Sequence, residues 1–321
     1  RRKGAVMEQS QHRAIGLHGG VLALLFLLQF VLPPYHHTNF TSIMVLATYA
    51  IGYNILFGYT VLLSLGHAMF FAAGMYGLAL PMQHLGLAAL PAFGTGIAAA
   101  ALLALIAGAL ALRTTGVAFM IVTLMFAQSA YLTILLAGTW TRGDEGFVIA
   151  QSARQIAGID LSQPGPRYLA AFCLFAAVLL LTLVIVRRPF GRVLIAIREN
   201  EDRTRLLGYH TGARKLAAVV VSGSISGAAG AAYALLFGYA GASFATVQYS
   251  ILPLLWVLLG GAGTVVGPFV GTLFMFYLID IASGLTRGYM ALAGLALILL
   301  TLFAPGGIMG EVRRRIWRGL P

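Results

Sequence analysis

Apolar runs of about twenty residues recur from one end of this chain to the other, and they constrain its fold more than any other feature. Runs such as AALPAFGTGIAAAALLALIAGALA (88–111) and YLAAFCLFAAVLLLTLVIV (168–186) have the length a helix needs to cross a bilayer. Composition agrees. The chain is 60% apolar and only 9% charged, whereas soluble domains carry about 25% charged residues. Its 39 glycines suit helices that approach closely in lipid, where small residues let backbones touch. The expected fold is therefore all-α and integral to the membrane, as one transmembrane domain over 1–321.

About ten spans account for the runs, over 14–32, 40–57, 61–82, 88–111, 115–137, 168–186, 215–240, 250–262, 264–285 and 288–304. The basic residues orient them. With the N-terminus inside, Arg1, Arg2, Lys3, Arg13, Arg113, Arg313, Arg314, Arg315, Arg318 and the eight of 187–215 fall on the cytoplasmic side, and Arg142, Arg154, Arg167 and Arg287 outside. By the positive-inside rule this fits an even number of spans with both termini cytoplasmic. The first basic residues lead into a long span without a small-residue cleavage site, so that span is expected to be retained. With no initial Met, the natural N-terminus is expected to be trimmed. The net charge of +12 is this topology signal, with attraction to anionic lipid headgroups, rather than a nucleic-acid surface.

The spans divide as five plus five, with a first half (14–137), a long external loop (138–167), a second half (168–304) and a basic cytoplasmic tail (305–321). Halves with an odd number of spans have opposite orientations, the arrangement of inverted-repeat transporters. The repeat itself is not evident from residue identity; the halves agree in length and Gly content. Two stretches read as interrupted helices, GYTVLLSLGHAMFFAAGMYG (58–77) and GGAGTVVGPFVG (260–271). Irregular backbone at membrane depth survives only where it lines a cavity or is buried in protein. Ser64, Gly66, His67, Gly260 and Gly261 are accordingly translocation-path candidates, with tight helix packing as the competing account. For His67 that account is a hydrogen bond to a backbone carbonyl beside the Gly break. Asp280 joins the candidates as an intramembrane acid, with an ion pair to nearby Arg287 as the plainer reading. His36 and His37 are expected in a solvated external turn after Pro33-Pro34, and Cys173 in an apolar filler position.

Between spans six and seven lies a polar island, RRPFGRVLIAIRENEDRTRLLGYHTGARK (187–215), with eight basic and three acidic residues. Val193, Leu194 and Ile197, then a charged run, then Leu206 and Leu207 ending at Gly208, read as one short amphipathic helix with a glycine stop. Arg198, Glu199, Glu201, Asp202, Arg205 and Gly208 are the residues through which a cytosolic partner would act. Outside, TWTRGDEGFVIAQSARQIAGIDLSQPGPR (139–167) is long for a bundle connection, and loops of that length tend to be functional. Arg142, Asp144 and Glu145 give it a polar, protein-facing rim. Neither a GxxxxGK[ST] phosphate loop nor an HExxH occurs, and no nucleophile–base cluster or metal-ligand set stands out. No catalytic residue, metal or cofactor is expected in this chain.

Several of these stretches together resemble the LivM-type permease subunit of branched-chain amino-acid ABC importers. They are NILFGYTVLLSLGHAMFFAAGMYG (54–77), TRGDEGF (141–147), RPFGRVLIAIRENEDRTRLLGY (188–209), GGAGTVVGPFVG (260–271) and the closing LFAPGGIMG (302–310). At 141–147 the family commonly has a Gly-Gly pair where this chain has Arg142-Gly143. The resemblance implies a homologous LivH-type permease, two ATP-binding subunits of the LivG/LivF type that bind ATP and Mg, an external soluble substrate-binding protein, and a bacterial inner-membrane location. It gives the island the role of the coupling helix, whose acidic start and Gly end are matched loosely by Glu199, Glu201, Asp202 and Gly208. A self-contained secondary carrier or channel is the alternative, and the scarcity of intramembrane charge counts against it.

Overall fold

A computed structural model of the chain describes residues 16–285, 288–304 and 306–315. Arg1, Arg2, Lys3, Arg13, Arg287 and Arg318, used above to orient the spans, lie outside the described residues. Fourteen α-helices are described: α1 (Gly16–Leu28), α2 (Pro34–Thr60), α3 (His67–Leu85), α4 (Ala89–Ala111), α5 (Val117–Leu136), α6 (Gly138–Thr141), α7 (Pro164–Arg187), α8 (Pro189–Glu199), α9 (Glu201–Leu206), α10 (Thr211–Phe237), α11 (Val247–Gly260), α12 (Gly267–Leu285), α13 (Tyr289–Phe303) and α14 (Gly307–Arg315). Six of them, α2, α4, α5, α7, α10 and α12, are long and apolar enough to cross a membrane. The other expected runs form α1, α3, α11 and α13.

Burial separates a central pair from its surroundings. In their apolar stretches 83% of α2 and 78% of α10 is buried, against 17% of α5. α10 packs on α2, α3 and α4, while α2 packs on α10, α11 and α12. Glycine makes the contacts close. A Cβ on Gly74 (α3) would strike the carbonyl of Gly227 (α10), and one on Gly230 (α10) would strike that of Phe71 (α3). Dispersion and backbone approach hold such crossings in lipid, where water exclusion supplies no net drive.

Contacts sort the helix ends into two sets. At one end, Arg198 of α8 reaches Gly58 near the end of α2, Lys215 at the start of α10 pairs with Glu201 of α9, and Gly261 after α11 abuts Gly310 of α14. At the other end, Tyr168 of α7 bonds to Leu25 of α1, His84 of α3 to the Trp140 carbonyl, and Tyr239 after α10 to the Glu145 carbonyl. α2 and α10 therefore run antiparallel. They also end on the same text, since YNILFGY (53–59) and YALLFGY (233–239) share Tyr, Leu, Phe, Gly and Tyr in register. This internal repeat escaped the sequence reading.

Three expectations need correction. Pro34 starts α2 at a first-turn position where its missing N–H costs nothing. His36 and His37 consequently lie on a helix, His37 buried beside the Tyr168 ring and His36 3.0 Å from the Tyr277 hydroxyl. The third run becomes helical only at His67, leaving 61–66 non-helical. The 138–167 loop is ordered: β1 (Phe147–Val148) pairs with β4 (Tyr239–Ala240), and β2 (Gln155–Ile156) with β3 (Ile159–Asp160) through a turn whose Ala157 and Gly158 both have positive φ. The island holds two helices, because Asn200 adopts an extended conformation and accepts from Arg203 N at 2.9 Å, capping α9. Leu206 and Leu207 are consequently 87% and 75% exposed instead of completing an apolar face. Cys173 is exposed on α7, at the rim of a cavity of about 640 Å³ that His37 and Ile159 also line.

Candidate functional site

The chain reverses after α2 at Val61, a β-branched residue in the left-handed region (φ 58°) whose N–H caps the Phe57 carbonyl. It then re-enters the bundle without helical bonds. Tyr53 donates from its hydroxyl to the Ser64 carbonyl at 3.1 Å. Tyr53 lies about 10 Å back along α2 from Thr60 at 1.5 Å per residue, so the break sits within the bundle. Its free backbone groups are taken up locally: Gly66 N donates to Ser64 Oγ (3.2 Å), Leu65 N to Thr123 Oγ1 (3.2 Å), and Ala68 N to Ser250 Oγ (2.9 Å). Gly66 is required here by a close approach, since a Cβ would lie against the Thr123 carbonyl of α5.

His67 is fully buried at the end of this segment. Its Nε2 lies 2.7 Å from Ser222 Oγ of α10, and Ser222 donates to the Gly52 carbonyl of α2 at 2.6 Å. The partner is thus a serine that relays the bond to a backbone carbonyl on another helix. The rings of Tyr53 and Phe70 stand edge-on to the imidazole at 4.6 and 5.3 Å. Ser64, Gly66 and His67 are brought together as one junction of α2, α3, α5 and α10.

The second expected break, within 260–271, is non-helical over 261–266 and meets the first through α2. Asn54, fully buried and next to Tyr53, donates to the Thr264 carbonyl at 2.9 Å and accepts from Gly263 N at 3.0 Å. Gly260 and Gly261 serve packing: a Cβ on Gly260 would strike Gly267, and Gly261 (φ 117°) lies against Gly306 and Gly310. Asp280 is not part of this cluster. Both of its carboxylate oxygens accept from the Tyr35 hydroxyl, at 2.8 and 2.7 Å, at the opposite end of α2. The Arg287 expected beside it lies outside the described residues. Asn54 and Ser222 were missed by the sequence reading, although a lone Asn inside an apolar run was a usable signal. Beside α3 an open cavity of about 370 Å³ is lined by Met69, Tyr76, Leu103, Phe126 and Thr133.

α8 presses its apolar face, Val193, Leu194 and Ile197, into the bundle. From its last turn Arg198 donates to the Gly58 carbonyl at 2.5 Å, in space that only a glycine at 263 leaves free. Glu199, Asp202, Arg205 and Gly208 are exposed, and Gly208 takes the left-handed φ of 88° that stops α9. Glu201 pairs with Lys215 and stands 3.6 Å from Arg205. Partial burial raises the Glu201 pKa, but the bond and charge of Lys215, with Thr211 and Arg205, hold it below its ordinary value. α9 is in this way fastened to the base of α10.

At the far end Arg142, Asp144 and Glu145 are exposed. Arg142 has φ 58° and its guanidinium carbon lies 5.9 Å from the Phe147 ring centroid. Arg142 thus holds a left-handed conformation that glycine adopts without steric cost. Next to the exposed charges stand exposed apolar side chains, Trp140 and Val148.

Long apolar helices around two hydrogen-bonded interruptions define an α-helical, multi-pass membrane protein. The chain belongs to the family of permease components of branched-chain amino acid transport systems, whose family model matches residues 37–304. It is 26% identical over 304 residues to the high-affinity branched-chain amino acid transport system permease protein LivM of Escherichia coli K12, covering 86% of this chain and 70% of that protein. It is 30% identical over 143 residues to the probable branched-chain amino acid transport permease LivM of Methanocaldococcus jannaschii, covering 40% of this chain and 41% of that one. A third relative is the autoinducer 2 import system permease LsrC of Photorhabdus laumondii, 30% identical over 118 residues, or 35% and 34% of the two chains. No solved structure matches the chain.

Proposed function

We propose that this chain is one of two homologous permease subunits of an ATP-binding-cassette importer in a bacterial inner membrane, carrying branched-chain or other small amino acids or related carboxylates and amides. The observation that carries the reading is the family match over 37–304, joined to an α8–α9 projection tied by Arg198 to the end of the most buried helix. In this reading ten helices span the membrane as two inverted sets of five, and the α8 end faces the cytoplasm with both termini. ATP and Mg are bound by two partner ATPases, which grip α8–α9 around Arg198, Glu199, Glu201, Asp202, Arg205 and the exposed Leu206–Gly208 tip. ATP binding favours the closed ATPase dimer, and that differential affinity rotates α8–α9 as a rigid body. Arg198 passes the movement to α2, and Asn54 and Tyr53 pass it to both breaks. Substrate arrives from a soluble binding protein seated on Arg142, Asp144 and Glu145, and the path is completed by the second permease.

Purification of the chain in mild detergent from its host tests this. Recovery of a second permease and two ATPases is expected; recovery of a homo-oligomer without ATPase favours a self-contained carrier. Reversing Glu201 and Asp202 to Lys should cut uptake by more than tenfold while membrane insertion persists, and unchanged uptake removes the coupling role from α9.

A further inference from the structure

We infer that Arg154 is the outward counterpart of Arg198: it fastens the α6–α7 loop to the end of α10, and through it a soluble protein docked on that loop moves α10. The inference rests on the importer reading above. It starts from the repeated YxxLFGY text, which puts Gly58 and Gly238 at equivalent places in antiparallel helices and hence at opposite ends of the bundle. At each place a guanidinium from a connecting segment reaches carbonyls in the helix's last turn. Arg198 Nη1 donates to the Gly58 carbonyl at 2.5 Å, and Arg154 Nη1 to the Leu236 carbonyl at 3.4 Å. Carbonyls in a last turn lack helical partners and carry the negative end of the helix dipole, so a cation is well placed at either.

The Arg154 seat depends on glycine. Gly238 has φ 73°, and a Cβ there would sit 2.8 Å from Arg154 Nη1, in the place the guanidinium occupies. Other bonds make the loop and the helix end one body. Ile149 N donates to the Gly238 carbonyl at 2.9 Å, the Tyr239 hydroxyl to the Glu145 carbonyl at 3.1 Å, and β1 pairs with β4. Leu161 N donates to the Arg154 carbonyl at 3.0 Å, which brings the β2–β3 hairpin into the same body. The charges Asp144 and Glu145 and the 74%-exposed Val148 face outward from it. A partner that engages them therefore acts on α10 directly. From there Ser222 carries the displacement to His67 and to Gly52 of α2.

The test uses the whole complex in nanodiscs, with ATPase rate measured with and without its substrate-loaded soluble protein. Arg154→Ala is expected to lower the stimulation ratio at least fivefold, leaving the basal rate and the affinity for the soluble protein within twofold of wild type. Arg154→Lys, which keeps a donor to Leu236, should recover about half of the stimulation. Gly238→Ala, which displaces the guanidinium without removing its charge, should reproduce the Arg154→Ala loss. Full stimulation in Arg154→Ala overturns the inference, as does a parallel loss of binding and stimulation, which would make Arg154 a docking contact only. A wild-type chain that assembles with no ATPase overturns the importer reading and this inference with it.

Discussion

The ends of α2 and α10 carry the same YxxLFGY text and are followed by very different surroundings. After α2 the chain re-enters along Ser64, Gly66 and His67, held by Tyr53, Thr123 and Ser222 through hydrogen bonds of 2.7 to 3.2 Å. After α10 it passes beneath rings: Phe244 lies 5.0 Å from both Tyr233 and Tyr249, and Phe71 5.3 Å from Tyr249. Hydrogen bonds are directional, so the first break has one register in which its groups are satisfied. Ring contacts are broad in angle and tolerate repacking. The comparison teaches that the segment leaving α2 is held by directional bonds, whereas beyond the loop-bonded end of α10 the segment around Phe244 is held by rings that can repack. It also places the repackable segment on the side where the α6–α7 loop projects.

Substitutions rank by how hard they press on this difference. The largest effect is expected from Gly66→Leu, which drives a side chain into the Thr123 carbonyl; uptake should fall to background in vesicles, and retained uptake would show that the junction is not part of the path. Asn54→Ala strips both the Thr264 carbonyl and Gly263 N of their partner and should cost about 3 kcal/mol by thermal unfolding in detergent. Phe244→Leu at the aromatic end should cost no more than about 1.5 kcal/mol, and equal losses in the pair would erase the contrast. Arg142→Gly relieves a left-handed non-glycine residue and should raise stability by about 1 kcal/mol in the same assay.

The smallest effect is a pH dependence at Glu201. Its pKa is lowered in the folded protein, so its contribution is present above the ordinary carboxylate value of 4.5 and disappears as pH falls through the lower folded value. Glu201→Gln should flatten that acid limb in a melting-temperature profile; an unchanged profile would mean the Lys215 pair does not hold α9.

Much of this fold was legible because apolar length and glycine punctuation are local signals. Gly66 and the 260–271 glycines marked both breaks, and Gly208 marked the end of the island helix. The partners that satisfy the breaks were not legible, since the pairing of Asn54 with Thr264 and of His67 with Ser222 spans 210 and 155 residues. The β2–β3 turn escaped notice because Ala157-Gly158 lacks the Asn-Gly or Asp-Gly text that announces such turns. The YxxLFGY repeat was legible in principle. Its two copies sit in otherwise unlike apolar text, where five shared residues do not stand out.

The sequence contains a single cysteine, and Cys173 is exposed on the flank of α7. It is thus the one thiol of this sequence, and it is open to modification. A nitroxide or fluorophore attached there needs no background thiols removed. Paired with a second label on a cysteine introduced by Val148→Cys, it turns any movement of the α6–α7 loop into a measurable distance.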